Sequence, residues 1–151
     1  MKLTTKGRYA VTAMLDLAIH YKQVPVNLAD ISARQVISLS YLEQLFSKLR
    51  KHGLVQSARG PGGGYKLAKQ SGDISLSDIV IAVDETVDAT RCGGQMNCQG
   101  EDQCLTHDLW EELSNHIRTY MSGVTLADLA NRHSVKVVSQ RQDAVPIHII
   151  Q

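Results

Sequence analysis

The chain contains no apolar run approaching the ~18 residues of a membrane span, and its opening, MKLTTKGRY, lacks the apolar stretch of a signal peptide. The expectation is a cytoplasmic protein with no membrane partner. Cysteine is scarce and odd in number. Cys92, Cys98 and Cys104 cannot all pair with one another, so a disulfide framework is the weakest reading of them. The marks of catalysis are missing too: there is no substrate motif, no pair of carboxylates set in a loop and no nucleophile with a partner base. The chain is therefore not expected to be an enzyme. Its one glycine-rich run, GPGGGY, lacks the G-K-[ST] ending of a nucleotide-binding P-loop. What remains, 151 residues that are 43% hydrophobic and 21% charged, suits one domain or a small domain with an appendage.

The net charge of +1 conceals a division. Residues 1–70 carry 11 Lys/Arg against 3 Asp/Glu, whereas residues 71–151 carry 5 against 12. A basic amino-terminal half fits a phosphate-binding surface, and an acidic half orients the molecule on a polyanion. The plainer alternative is that the two halves pair their charges within or between subunits.

All three cysteines fall in Arg91–His107, RCGGQMNCQGEDQCLTH, with five residues in each gap between them and His107 shortly after the last. Thiolates and imidazole bind zinc or the iron of a cluster. Structural zinc knuckles have tighter spacing, whereas these wide gaps, with Gly93, Gly94 and Gly100, let chain pass around a larger object and bring backbone N–H groups to its sulphides. Iron-sulphur is the favoured reading; zinc, and thiols that are unliganded or redox-active, stay open. Histidine in place of a thiolate makes a bound cluster less negative and raises its potential, as in Rieske centres.

The amino-terminal half begins with a short arm and then apolar residues at helical spacing, Ala10, Val11, Met14, Leu15, Ala18 and Tyr21, with Thr5 as the expected cap. Lys2, Lys6 and Arg8 crowd this start as candidate phosphate contacts. Asn27 caps a short helix, the chain turns at 36–38, and a second helix runs from about Leu39 to His52, stopped by Gly53. Two short helices and a tight turn predict helix-turn-helix.

On the second of these helices Leu42, Leu45, Phe46 and Leu49 form an inner face, opposite Ser40, Glu43, Gln44, Ser47 and Lys51. The N-terminal end of a recognition helix meets base edges, so Ser40, Glu43 and Gln44 are the expected readers, flanked by Ser38, Tyr41, Ser47, Lys48 and Lys51. Glu43 has a competing role, because Ser40 and Glu43 share the S-x-x-E spacing of a capping box. Next, LVQSARGPGGGYKLA predicts two strands joined by a glycine-rich turn, a wing whose Arg59, Gly62, Gly63 and Tyr65 approach the sugar-phosphate backbone.

Past the wing, ISLSDIVIAVDE predicts a bracing helix capped near Ser75, with Leu76, Ile79, Val80 and Val83 inward. After the cysteines, residues 106–121 predict a longer helix with Leu109, Trp110, Leu113, Ile117 and Tyr120 along one side, a band suited to pairing two subunits or to covering the cysteine loop. His116 on this helix is read as solvated. The fold class expected is mainly α with a small β-hairpin wing: a winged helix-turn-helix plus a long dimerisation helix. The divisions are 1–84 for the DNA-binding domain with its bracing helix, 85–107 for the cluster loop, 105–124 for the dimerisation helix, 125–131 for a short helix and 132–151 for a flexible tail.

The runs KGRYAV, SLSYLEQLFSKLRKHGLV, RGPGGGY, DATRC and CLTH resemble the bacterial iron-sulphur cluster regulators, the IscR family of winged-helix repressors, over about residues 1–130. The resemblance implies a homodimeric transcription factor holding a 2Fe-2S cluster through Cys92, Cys98, Cys104 and His107. It further implies repression of cluster-assembly genes when loaded and binding to a second class of promoter sites without cluster. Double-stranded DNA is the implied partner, with the cluster-assembly machinery and RNA polymerase as further candidates. Related nitric-oxide-sensing repressors take a fourth ligand from elsewhere, including an aspartate in the first helix. Arg8 stands at that position here, and a guanidinium cannot replace a carboxylate, which favours His107. Asp16 lies later on the same helix. The alternatives are a nitric-oxide or redox sensor of the same superfamily, a zinc-stabilised DNA-binding protein and, more remotely, an iron-sulphur electron carrier.

Overall fold

The structure is a computed structural model that describes residues 3–145. Lys2, one of the candidate phosphate contacts, and the last six residues of the expected tail lie outside the described residues.

Helix α1 (Thr5–His20) runs through the centre of the molecule, burying Ala10, Ala13, Met14 and Leu17 completely. Its cap position is held by Thr4, not Thr5, and no side chain caps it in the usual way. Instead the Thr4 N–H and hydroxyl both donate to the buried carboxylate of Glu85. Burial works against that carboxylate, and the two Thr4 donors outweigh it, keeping its pKa low. Gly7 permits this contact, since a Cβ there would sit 2.9 Å from Leu3 Cδ1 and 3.1 Å from Glu85 Cγ.

Helix α2 (Leu28–Gln35) starts where the Asn27 side chain accepts from the Asp30 N–H at 2.8 Å, as its sequence predicts. It stops at Val36, whose φ of +55° is strained for a β-branched residue and reverses the chain. Helix α3 (Leu39–Lys51) begins after two more residues. Its cap is Ser38, which accepts from the Tyr41 N–H at 3.3 Å. This corrects the expectation of a Ser40/Glu43 capping box: Ser40 already lies inside the helix, and Glu43 is left exposed. Gly53, with φ +75°, turns the chain into the hairpin.

Strands β1 (Val55–Ala58) and β2 (Gly64–Leu67) pair antiparallel, Val55 opposite Leu67 and Ala58 opposite Gly64. Tyr65 extends the pairing by exchanging backbone hydrogen bonds with Val26 at 2.8 and 2.9 Å. Its ring meets Phe46 edge-on with centroids 4.9 Å apart, so the wing is fixed to the inner face of α3. Helix α4 (Leu76–Ala82), with a full Ser75/Asp78 capping box, adds Ile79 and Val83 to the same core.

Helix α5 (His107–Gly123) touches this body through its C-terminal half, where Met121 and Ile117 meet Val80 and Val87 in a second small cluster. Helix α6 (Leu126–Ala130) then returns Leu126 to the main core, and its start is bridged to Ser75.

Residues 133–143, expected as flexible tail, form helix α7 (His133–Asp143). It packs beside α1 over a cavity of about 320 Å³ and is tied down by polar contacts. The amides of Gln142 and Gln35 bond reciprocally at 2.9 and 3.1 Å, and Asp143 accepts from His20 Nε2 at 2.7 Å. Behind them lies Asp16, 2% exposed, bound bidentately by Arg34 at 3.0 and 2.8 Å and by the Gln35 amide at 2.7 Å. Burial alone would raise the Asp16 pKa, but hydrogen bonds from His20, Arg34 and Gln35 with the Arg34 charge bring it to about 2. His20 moves the other way, to about 9, chiefly through its bond to Asp16 against the cost of burial, with Asp143 adding to it.

Candidate metal centre and nucleic-acid interface

The cysteine loop is pegged to α5 at its start and runs back to that helix's first residue. The Ala89 N–H donates to the buried Ser114 hydroxyl at 2.7 Å, and Ser114 donates in turn to the Trp110 carbonyl at 2.8 Å. The Asp88 carboxylate accepts from the Thr90 N–H and hydroxyl, while Thr90 Oγ1 accepts from the Gly94 N–H at 2.9 Å. Gly93, Gly94, Met96 and Gly100 all have positive φ, which curls the chain around its own sulphurs.

Inside that curl, donor atoms of Cys92, Cys98 and His107 lie within 4.8 Å of one another. His107, 1% exposed, points Nδ1 at Cys92 Sγ (3.4 Å) and Cys98 Sγ (3.6 Å). Its Nε2 lies 2.9 Å from Glu111 Oε2. Cys104 is beside the group but not within it: its N–H donates to Cys98 Sγ at 2.9 Å, and its own sulphur lies 3.9 Å from Thr106 Oγ1. The structure thus brings together three of the four predicted ligands and sets the fourth next to them.

The thiols are unequal. Burial opposes ionisation of Cys92, but the N–H groups of Met96, Gly94 and Asn97, with Cys98, outweigh it and bring the thiol down to about 6. Cys98 is pushed up by burial and by the neighbouring sulphurs, against the Cys104 N–H. Cys104 is lowered by its bond to Cys98 and by Thr106. His107 is raised: burial lowers it, and Cys92 and Glu111 more than compensate. A thiol whose ionisation is favoured, two further sulphurs and a fixed imidazole form a soft donor set that fits zinc or cluster iron. Glu111 and Ser114 were not anticipated from the sequence. The first had a readable signal, its position four residues after His107 on one helical face.

The predicted DNA-facing residues are arranged around α3 and the hairpin. Ser40, Glu43, Gln44 and Lys51 are exposed, Ser47 and Lys48 half-buried. Ser38 is occupied as a cap, and Tyr41 is half-buried with its ring edge-on to Tyr9 at 5.9 Å. Arg59 is exposed at the base of the wing and has no ion-pair partner among the described residues. Gly62 has open space at φ +74°, whereas a Cβ on Gly63 would meet the Ala58 carbonyl oxygen at 2.5 Å. Tyr65 is half-buried against Phe46.

Three candidate cations have internal partners. Lys48 pairs with Asp84 at 3.1 Å, Lys6 reaches the Asp84 carbonyl at 3.3 Å and Glu85 at 3.8 Å, and Arg8 Nε donates to the Leu3 carbonyl at 3.1 Å. Asp16 is fully engaged by Arg34, Gln35 and His20. Exposed apolar side chains of α5, Leu109 (54%), Trp110 (37%) and Tyr120 (58%), lie outside both described apolar clusters. His116 is exposed, as expected. No helix is long and apolar enough to cross a membrane among the described residues.

Comparison with known proteins agrees with this architecture. The family model for Rrf2, described as an iron-dependent transcriptional regulator, matches residues 3–132. The HTH-type transcriptional regulator IscR of Serratia proteamaculans is 61% identical over 143 residues, covering 95% of this chain and 87% of that protein. Among solved structures, T. potens IscR superposes with a TM-score of 0.72 at 36% identity, covering 99% of this chain and 96% of the other. CymR, the global cysteine regulator of B. subtilis, gives 0.75 at 32% identity over 86% of this chain and 96% of its own. The hairpin against a helix-turn-helix and the cysteine-histidine loop opening α5 accord with these likenesses, and the chain belongs to the Rrf2 family of winged-helix transcriptional regulators, in its IscR group.

Proposed function

We propose that this regulator holds a 2Fe-2S cluster through Cys92, Cys98, Cys104 and His107, and that occupancy changes which promoter sites it binds, repressing cluster-assembly genes when loaded. The observation that carries the reading is the convergence of Cys92, Cys98 and the inward Nδ1 of His107 at the first residue of α5. A bound cluster supplies a redox-active iron centre. The chain's own residues do the rest. Ser114 and Thr90 hold one end of the loop, His107 holds the other, and ligation at both orders the segment between them.

α5 passes that order on, because its exposed apolar stripe suits the same stripe of a second copy. A dimer carries two α3 helices and selects sites with two-fold symmetry, its half-sites one helical turn or a multiple apart. Within each half-site Ser40, Glu43 and Gln44 face base edges while Lys51 and Arg59 contact phosphate.

Anaerobically purified protein tests this reading through visible absorption, iron and acid-labile sulphide analysis, and binding of loaded and stripped protein to both promoter classes. Colourless, iron-free protein however gently handled, or identical DNA preference in both states, would overturn it. The compactness of the three-donor group favours one second reading, a structural zinc ion, which the same metal analysis distinguishes.

A further inference from the structure

The two nitrogens of His107 face different chemistry. Nδ1 is turned to the sulphurs of Cys92 and Cys98, while Nε2 lies 2.9 Å from Glu111 Oε2. A neutral imidazole has one proton, and only the nitrogen without it offers a lone pair to a metal. If Nδ1 is the ligand, the proton must reside on Nε2, where the Glu111 carboxylate is the hydrogen-bond acceptor.

Glu111 is not one of the converging donors; it meets the ring at Nε2, the nitrogen turned away from Cys92 and Cys98. Its place is set by the helix: residues four apart share a face, and both belong to the first turns of α5. Burial of His107 to 1% exposure removes water as a competing acceptor, while Glu111, 40% exposed on its side chain, keeps one side hydrated.

We infer that Glu111 is a positioning residue of the metal centre: through the Nε2 hydrogen bond it fixes Nδ1 as the liganding atom and adds anionic charge behind the ligand. The inference rests on the reading that His107 binds a metal or cluster. Carboxylates behind liganding histidines fix the tautomer and raise ligand basicity, and their loss typically costs about 10- to 100-fold in metal affinity. Negative charge there also favours the oxidised form of a bound cluster, so removing it moves the reduction potential positive.

Orientation and charge separate in two variants. Glu111→Gln keeps an acceptor oxygen without charge, and Glu111→Ala removes both. Cobalt(II) serves as one probe and an anaerobically reconstituted cluster as the other, with circular dichroism verifying α5 in each variant. In Glu111→Ala, cobalt affinity falls about 10- to 100-fold. Glu111→Gln retains most of the affinity, yet both variants show more positive cluster potentials, on the order of a tenfold shift in the reduction equilibrium or ~59 mV for one electron. In the wild-type cobalt form, a contact-shifted, slowly exchanging Nε2 proton is expected, and it exchanges faster in Glu111→Ala.

Wild-type affinity and potential in Glu111→Ala would overturn this inference alone. So would a loss in Glu111→Ala that glutamine does not restore and that leaves the potential unmoved, since that marks a damaged helix. A wild-type protein that takes up neither cobalt nor cluster would overturn the metal-centre reading as well.

Discussion

Asp16 is a carboxylate that is only 2% exposed, and it holds α1 to the end of α2 through Arg34 and Gln35. Removing one partner of such a pair strands the other charge, so Asp16→Ala is expected to cost about 3–5 kcal/mol in urea unfolding. The linked imidazole gives a pH signature. The His20 pKa rises from 6.5 to about 9 in the fold, so its contribution is complete below 6.5 and is lost as pH rises through 9. The Asp16 pKa falls from 3.8 to about 2, so its contribution is present above 3.8 and disappears as pH falls through 2. Stability from this cluster is therefore greatest between those limits, and His20→Ala should flatten the alkaline decline in urea midpoints measured from pH 6 to pH 9. An equally steep decline in that variant would assign it to other groups. The sequence shows a charged residue on an apolar face here; that Arg34, eighteen positions away, answers it is settled by packing α1 on α2.

At the scale of elements, the helix-turn-helix and the wing are set by a few backbone-determining residues. Ser38→Ala removes the cap of α3 and should cost about 1 kcal/mol. A Cβ at Gly64 would run into the Val26 carbonyl, so Gly64→Ala must displace the hairpin from the α1–α2 connection, at about 1–3 kcal/mol, with a crosspeak shift of Tyr65 as the local readout. Gly62 has no such neighbour. Lys51→Ala on α3 and Arg59→Ala on the wing should each lower the slope of log affinity against log salt by about 1, with folding unchanged. Slopes that stay as in the wild type would place the DNA surface elsewhere. Caps and turn glycines were legible because they act locally. The start of α3 near Leu39 is legible, whereas the choice between the Ser38 cap and the alternative Ser40/Glu43 box is made by backbone geometry, which selects Ser38.

Across the whole molecule, the opposing charges of the two halves partly meet inside one chain. The Asp84–Glu85 turn after α4 takes up Lys6 and Lys48, leaving Lys51 and Arg59 to face outward. The plainer alternative considered for the charge division therefore holds for two lysines, and the basic surface is narrower than the count implies. The exposed stripe of α5 is the counterpart feature. With the stripe pairing two copies as proposed, Leu109→Asp combined with Tyr120→Asp should convert that dimer to monomers in sedimentation velocity and weaken binding to two-fold sites far more than to a single half-site. A wild-type monomer at micromolar concentration would rule out this use of the stripe.

The sequence by itself determined the helices with clear apolar period, the hairpin with its glycines and the soft donor set near residue 100, because each depends on neighbours a few positions apart. It did not reveal α7: Val135, Val137 and Val138 give no clean helical stripe, and that helix is held by a cavity wall on α1 and by Gln142 and Asp143 reaching Gln35 and His20. Nor could it say which nitrogen of His107 faces the sulphurs, or that Cys104 stands just outside the group of three. Those outcomes depend on how the loop closes onto α5, a contact between segments whose separation along the chain carries no periodic signal; only the tertiary structure decided them.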